Sequence, residues 1–409
     1  MLDLLWWNTR LSASSSLNLS KLEIFLTHKN NEIISPKYEA PEFHTDHNVY
    51  ILGAGYSAGA GLPLMANFLE KMRIYRSTLA NDNQSAKHID SVLRFCLDCA
   101  RSASKVRLDL DNIETILSLA AATEKFEKDG KISTALTVAE LVPHAIASTL
   151  EYYQKLYRWD NQIHIDNHAY DLYELSALVM AGKLGKLKDQ KGQRNTIITF
   201  NYDTLVERAL MNNGIGFSYG LDTAQVKNKN LTLHRLEKHA EEDDVRILKL
   251  HGSINWSAAG IFDSYDELLN YQQNRTSIFK PIILPPWWKK DPSNEISVVW
   301  YRAIERLKTA TRIIFIGYSC PPTDLYMRYL LGAGLNNNIS LTSVYTVNID
   351  QKAHDAIRDL FSTMFMNVRQ TKPMSARGFF TGMFPLETGE FREKSYLNEI
   401  NRDIREPLI

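Results

Sequence analysis

Cysteine is scarce, with Cys96, Cys99 and Cys320 the only three in 409 residues. They are too few and too unevenly placed for a disulfide framework, which fits a reducing, cytoplasmic setting. Long apolar runs are missing too. The longest, "IIFIGYSC" and "PIILPPWW", fall far short of the roughly 20 residues a membrane-spanning helix needs. The start, "MLDLLWWNTR", has no basic segment leading into an apolar stretch and does not read as a secretory signal. Charge of one sign is not in excess either: 47 Lys and Arg balance 47 Asp and Glu. That removes the electrostatic basis for tight, sequence-independent nucleic-acid binding, and no direct nucleic-acid or membrane partner is expected. The sequence also lacks internal repeats and low-complexity tracts.

With 44% hydrophobic and 23% charged residues, the chain has the make-up of a folded protein with a sizeable core. Residues 1–45 are polar and irregular and read as an N-terminal arm. A main domain is expected over 46–365 and a C-terminal tail over 366–409. The run "NVYILGAG" followed by "LPLMANFLEKMRIY" predicts strand, tight turn and helix. From about 85 to 190 apolar residues recur at three- and four-residue intervals, which predicts a large helical insertion. Asp111 or Asn112 is placed to cap one of its helices, with Glu114 in the first turn favoured by the dipole. Strand signals return as "NTIITF", "VRILKL", "KPIIL", "RIIFIGYS" and "SVYTVNI", whose β-branched, almost continuous apolar character suits strands covered on both faces. Helices fit at 203–212, 294–309, 322–335 and 352–362. The fold class is therefore α/β: a Rossmann-like parallel sheet with helices on both faces and a helical insertion.

Four short motifs carry the chemistry. The first runs from Gly53 through Ala54, Gly55, Ser57 and Gly61 to Leu62 and Pro63, at a strand end and a helix start. Small residues there let backbone approach a diphosphate, and helix N-terminal N–H groups attract its charge. A turn without ligand would look the same on the glycines alone. A dinucleotide-binding dehydrogenase would add a second strand ending in an acidic residue about 20 positions on; Glu70 instead falls inside the expected helix. The second motif, Phe200-Asn201-Tyr202-Asp203, follows a strand, where ligands bind in parallel α/β sheets. Asp203 is equally placed to cap the next helix. The third, Lys249-Leu250-His251-Gly252-Ser253, offers an imidazole, a side chain that ordinarily titrates near neutrality and can move a proton. The fourth pairs Gly317-Tyr318-Ser319, then Pro321-Pro322-Thr323-Asp324, with Asn348-Ile349-Asp350. Ordinary turn chemistry accounts for these residues individually.

Together and in this order, the motifs resemble the sirtuin superfamily. "GAGYSAGAGLP" is similar to its GAGxSxxxGIP loop, "NYD" to its NID and "LHGS" to its HG motif. "IGYS" and "VNID" resemble its later nucleotide contacts. The resemblance covers about 48–360 apart from the insertion. It implies that Gly53, Ala54, Gly55, Ser57, Gly61 and Leu62 form the loop holding the NAD+ phosphates and adjacent ribose, with Gly317, Ser319 and Asn348 on the adenosine side. It implies Asn201 and Asp203 beside the nicotinamide pocket and His251 on the nicotinamide ribose hydroxyls.

Deacetylating sirtuins carry four zinc-binding cysteines after the HG motif, whereas only Cys320 lies beyond His251, so no metal is expected. Cys96 and Cys99 sit on an expected helix and read as core packing. The Asp-Phe-Arg stretch that follows the family's loop is replaced by Leu64, Met65 and Ala66, with Phe68 the one remnant. The acyl-peptide groove is thereby in doubt and water becomes the expected acceptor. Phrases such as "FNYDTL", "KLHGSINW" and "IGYSCPPTD" resemble the zinc-free sirtuin-like effectors of bacterial anti-phage systems. That likeness implies an NAD+ hydrolase that depletes NAD+, with Asn201, His251 and Asp203 catalytic and NAD+ as substrate. It also implies a homo-oligomer triggered by a separately encoded partner such as a HerA-type ATPase ring. A non-catalytic NAD or ADP-ribose sensor and an NAD-dependent protein deacylase remain open. His164 and His168 are read as exposed histidines on a helix face. Trp287 and Trp288 suit either a partner anchor or the core.

Overall fold

The computed structural model describes residues 47–102, 108–126, 137–160, 163–165, 168–183, 195–221, 245–272, 279–284, 294–321, 324–361 and 367–382. The expected arm over 1–45, the Trp287-Trp288 pair and residues 383–409 of the expected tail lie outside them. All described residues fall in one compact unit, 43–409.

The strands are β1 Asn48–Leu52, β2 Ile163–Ile165, β3 His168–Tyr170, β4 Thr196–Thr199, β5 Phe217–Ser218, β6 Val245–Lys249, β7 Gly252–Ser257, β8 Gly260–Ile261, β9 Pro281–Ile283, β10 Arg312–Ile316, β11 Ser343–Val347 and β12 Val368–Gln370. The helices are α1 Ala54–Ser57, α2 Phe68–Ser77, α3 Gln84–Ser102, α4 Ile113–Phe126, α5 Val138–Leu156, α6 Leu172–Met180, α7 Leu205–Asn212, α8 Tyr265–Gln272, α9 Asn294–Lys308, α10 Leu325–Leu335, α11 Gln351–Arg358 and α12 Ala376–Gly382.

Seven strands form one parallel sheet in the order β12-β11-β10-β1-β4-β6-β5. This is the expected α/β fold. β1, β4, β10 and β11 are buried at every position, as strands covered on both faces must be. The chain fills one side of β1 with β4, β5 and β6 before crossing to β10, β11 and β12 on the other. The sheet order therefore reverses between β1 and β10, and that is the place where an open α/β sheet leaves a crevice at its carboxyl edge.

Two segments depart from the sequence expectation. "KPIIL" does not join the parallel sheet: β9 pairs antiparallel with β7, which also pairs with β8. Gly252 adopts φ +84°, and a Cβ there would lie 2.0 Å from the Ile282 carbonyl oxygen, so the turn after His251 is what lets β9 come close. Within the stretch read as helical, α3, α4, α5 and α6 are interrupted by the β2-β3 hairpin, which carries His164 and His168 on strands and not on a helix face. An alternating three-residue strand is too short to announce itself inside a helical pattern.

Asn112 is the cap of α4, its Oδ1 accepting from Glu114 N at 2.9 Å. Asp171 caps α6 in the same way, with Glu174 returning the bond to the Asp171 N–H. Residues 368–382, within the stretch assigned to a tail, add the edge strand β12 and α12, whose Phe379 and Phe380 are fully buried.

Candidate active site

Five strands end at one edge of the sheet, and each motif residue follows one of them: Gly53 after β1, Phe200 and Asn201 after β4, His251 after β6, Gly317 after β10 and Asn348 after β11. The site is a product of parallel topology, because parallel strands present all their carboxyl ends together.

Asn201 joins the first two motifs. Its Nδ2 donates to the Gly53 carbonyl at 3.0 Å and to Ser57 Oγ at 3.1 Å. Ser57, buried, also favours the ionised form of the neighbouring Asp203 carboxylate. Asp203 is buried, and burial raises its proton affinity; Lys249, the Leu205 N–H and Ser57 oppose that rise. It also accepts from Leu205 N at 3.1 Å, so it does open helix α7, as its alternative reading held. Behind it Lys249, 1% exposed, reaches the Asp203 carbonyl and pairs with Glu207 at 2.9 Å. Tyr219 OH donates to the same Glu207 oxygen.

His251 stands beside this network through Phe200. The Phe200 ring is edge-on to the imidazole at 5.0 Å between centroids and stacks on Tyr318 at 5.2 Å. Tyr202 lies 6.3 Å from the imidazole and donates its hydroxyl to the Leu284 carbonyl. Tyr318 OH bonds Asp324, which also caps α10 through Met327 N. The imidazole is buried, and desolvation pushes its pKa down to about 4, against the pull of Asp324. The expectation of a histidine titrating near neutrality is thus corrected: a ring with little access to water resists taking up charge.

The glycine turn also differs from its first reading. Gly53 N donates to the Ile316 carbonyl and Gly55 N to the Gly317 carbonyl, so neither N–H is free for an anion. A Cβ on Gly53 would stand 2.5 Å from Tyr318 Cα, and one on Gly55 2.8 Å from Gly317 Cα. Gly317 itself has φ +63° and would place a Cβ 2.3 Å from Tyr56 N. These glycines serve the packing of one strand-end turn on the next. Ala54 and Gly55 are partly buried, Gly61 is exposed with φ +78°, and Leu62 is buried. Tyr56, between the glycines, is held by Ser176 at 2.6 Å and by an edge contact from Phe380 of α12.

Ser319 is exposed at the same edge. Asn348 is buried and already engaged: its Nδ2 donates to the Tyr318 carbonyl at 3.0 Å and its Oδ1 accepts from Asp350 N. It ties β11 to the Gly317 turn. Cys96 is buried and Cys99 partly so. Among the described residues no group of three or more His, Cys, Asp and Glu is arranged to hold a metal. No described helix is long and apolar enough to cross a membrane.

The sequence did not reveal the aromatic floor of Phe200 and Tyr318, the anchoring of Tyr318 by Asp324, or the Lys249–Glu207 pair. Asp324 was visible as part of "PPTD"; a lysine inside the apolar strand "VRILKL" was the one signal of a buried partner.

No curated protein sequence matches the chain. Solved structures align over most of its length at low similarity. A Sir2 homolog–NAD complex shares 13% identity, covering 82% of this chain and 86% of its own, with a TM-score of 0.39. Sir2Tm bound to a propionylated peptide shares 14% identity, covering 81% and 90%, with a TM-score of 0.35. The glycine turn and Asn348 fall outside the stretch that a protein family matches, but Asn201, Asp203, His251, Gly317 and Ser319 fall within it. That family is the SIR2-like domain, and this chain is similar to it over residues 195–340.

Proposed function

We propose that the chain cleaves the bond between nicotinamide and ribose in NAD+, with water as acceptor, releasing nicotinamide and ADP-ribose. The observation that carries the reading is the reach of Asn201 to both Gly53 and Ser57 while its neighbour Phe200 touches His251, which gathers three motifs around one strand-end crevice. The similarity of residues 195–340 to a family of NAD-consuming enzymes supports the same chemistry. Loss of nicotinamide builds positive charge on the ribose, as in glycoside hydrolysis, and buried oxygens and carboxylates aimed at that place lower its cost. In this reading Asn201 positions ribose and water, Asp203 gives electrostatic support, and His251 meets the ribose hydroxyls as a neutral ring.

The motif phrases similar to anti-phage effectors extend the proposal: an NAD-depleting protein, assembled as a homo-oligomer and triggered by a separately encoded partner such as a HerA-type ATPase ring. Purified protein, alone and with that partner, should release nicotinamide from NAD+. Asn201→Ala and His251→Ala should each lower kcat at least about 100-fold while ADP-ribose still binds. Binding with no release under any condition would favour a nucleotide sensor. Consumption only with acyl-lysine peptide would favour a deacylase.

A further inference from the structure

Helix α5 belongs to the stretch inserted between β1 and β4, and consecutive residues near its end reach two of the motifs at the strand-end crevice. Tyr152 stacks on Tyr75 of α2, with ring centroids 4.4 Å apart. Tyr153 donates its hydroxyl to the Lys71 carbonyl at 3.2 Å, and the Lys71 ammonium lies over the Tyr153 ring and bonds the Gly61 carbonyl. These two tyrosines hold the helix that follows the glycine motif. Gln154, 2% exposed, reaches the Asn201–Asp203 motif instead. Its Oε1 accepts from the Thr204 N–H at 2.7 Å and from the Thr204 hydroxyl at 3.4 Å, and its Nε2 donates to Glu151 at 3.3 Å. Glu151, equally buried, pairs with Arg208 of α7 at 2.9 Å and has Lys155 at 3.8 Å.

Thr204 follows Asp203 directly and leads into α7. A helix start leaves N–H groups without partners inside the helix. Here the Asp203 carboxylate takes the Leu205 N–H, and Gln154 takes the Thr204 N–H from 50 positions earlier in the chain. Asn201 is tied on its other side to Gly53 and Ser57. We propose that Gln154 is a positioning residue of this site. It anchors the Asn201–Asp203 turn to the same helix that anchors the glycine motif, so that the Asn201 amide and the Asp203 carboxylate keep the alignment that NAD+ cleavage needs. The proposal rests on the cleavage reading above, and it makes the inserted helix part of the frame of the site.

The pairing accounts for an amide at position 154. The Thr204 N–H needs an acceptor and the Glu151 carboxylate needs a donor, and a primary amide supplies both. A glutamate would keep the acceptor but set two buried carboxylates against each other. A methionine of similar length would leave the buried Thr204 N–H without its acceptor. The turn would then shift, and a misplacement of about 1 Å in groups that align a substrate can cost about 100-fold in rate.

The test is steady-state nicotinamide release by the full chain, with kcat referred to sites counted by ADP-ribose binding. Gln154→Met should lower kcat about 10- to 100-fold and leave KM for NAD+ within about twofold, because alignment at the reacting end is what is lost. Gln154→Glu should lower kcat as well. Adding Glu151→Gln to it should restore kcat to within about threefold of the parent, because the exchanged pair again joins one amide to one carboxylate. A purely structural role gives another pattern: fewer active sites and a lower thermal midpoint, with kcat per site unchanged. That pattern in both single variants, or a double variant no more active than Gln154→Glu, where Asn201→Ala is inactive, overturns this inference and leaves the cleavage reading intact. A parent that releases no nicotinamide under any condition overturns both.

Discussion

Lys249 shows how a single side chain can support a site without facing it. It is 1% exposed, ends β6 directly after Ile247 and Leu248, and is held between Glu207 and the Asp203 carbonyl. A buried ion pair adds little net stability over a well-packed apolar pair, but losing one partner leaves the other charge stranded. Lys249→Met should therefore destabilise by about 3–5 kcal/mol in urea unfolding, and the double variant with Glu207→Gln should recover part of that loss. If single and double variants are equally destabilised, the pair is not what holds this region. Loss of the lysine also removes the positive charge that opposes protonation of Asp203, so Asp203 should bind its proton more tightly still. The residue types in the site were readable from sequence, since Asn201, Asp203 and His251 each follow a strand. Their protonation was not, because burial, which moved His251 and Asp203 in opposite directions, is a property of neighbours far away in the chain.

At the scale of elements, the strand-end turns are fitted to one another. The turn after β1 and the turn after β10 approach so closely that Gly53, Gly55 and Gly317 have no room for a methyl group. Gly61 also has positive φ but faces open space. Gly317→Ala should then cost clearly more than Gly61→Ala: both carry the left-handed penalty of roughly 1–2 kcal/mol, and the first adds a backbone clash. Thermal midpoints of the two variants measure the difference, and equal losses would mean the contact relaxes freely. The glycine pattern pointed to the right turn for an incomplete reason, since a second turn 264 residues away is invisible in a local motif. "KPIIL" failed for a related cause. A short β-branched run fits either kind of sheet, and only the reversal at Gly252 sends β9 to pair antiparallel with β7.

Across the whole molecule, the helical stretch between β1 and β4 hides a second pair of rings that no motif announced. His88 and His144 are buried with centroids 4.8 Å apart, and His144 Nδ1 is bonded to Tyr265 OH at 2.9 Å. Among the described residues, the buried His88 Nδ1 and His144 Nε2 have no hydrogen-bond partner. Desolvation holds the two rings down to about 4 and about 3; for His144 the neighbouring His88 and Lys280 add to it. With folded pKa values below the unfolded one of about 6.5, the unfolded chain binds more protons, and stability falls as pH drops below that value. Each ring should remove about 2 kcal/mol at pH 5 relative to pH 8. His144→Phe should flatten the dependence of unfolding stability on pH over this range; an unchanged slope would show that the rings are not its source. The sheet order has a consequence for the newborn chain. β1 is the middle strand, yet Asn48 must wait for Arg312, 264 positions later, and the turn behind it is braced by Phe380 on α12. A ribosome must therefore deliver the chain through at least Phe380 before the strand-end turns are complete, so, under the proposed NAD+ cleavage, unfinished copies would be inactive.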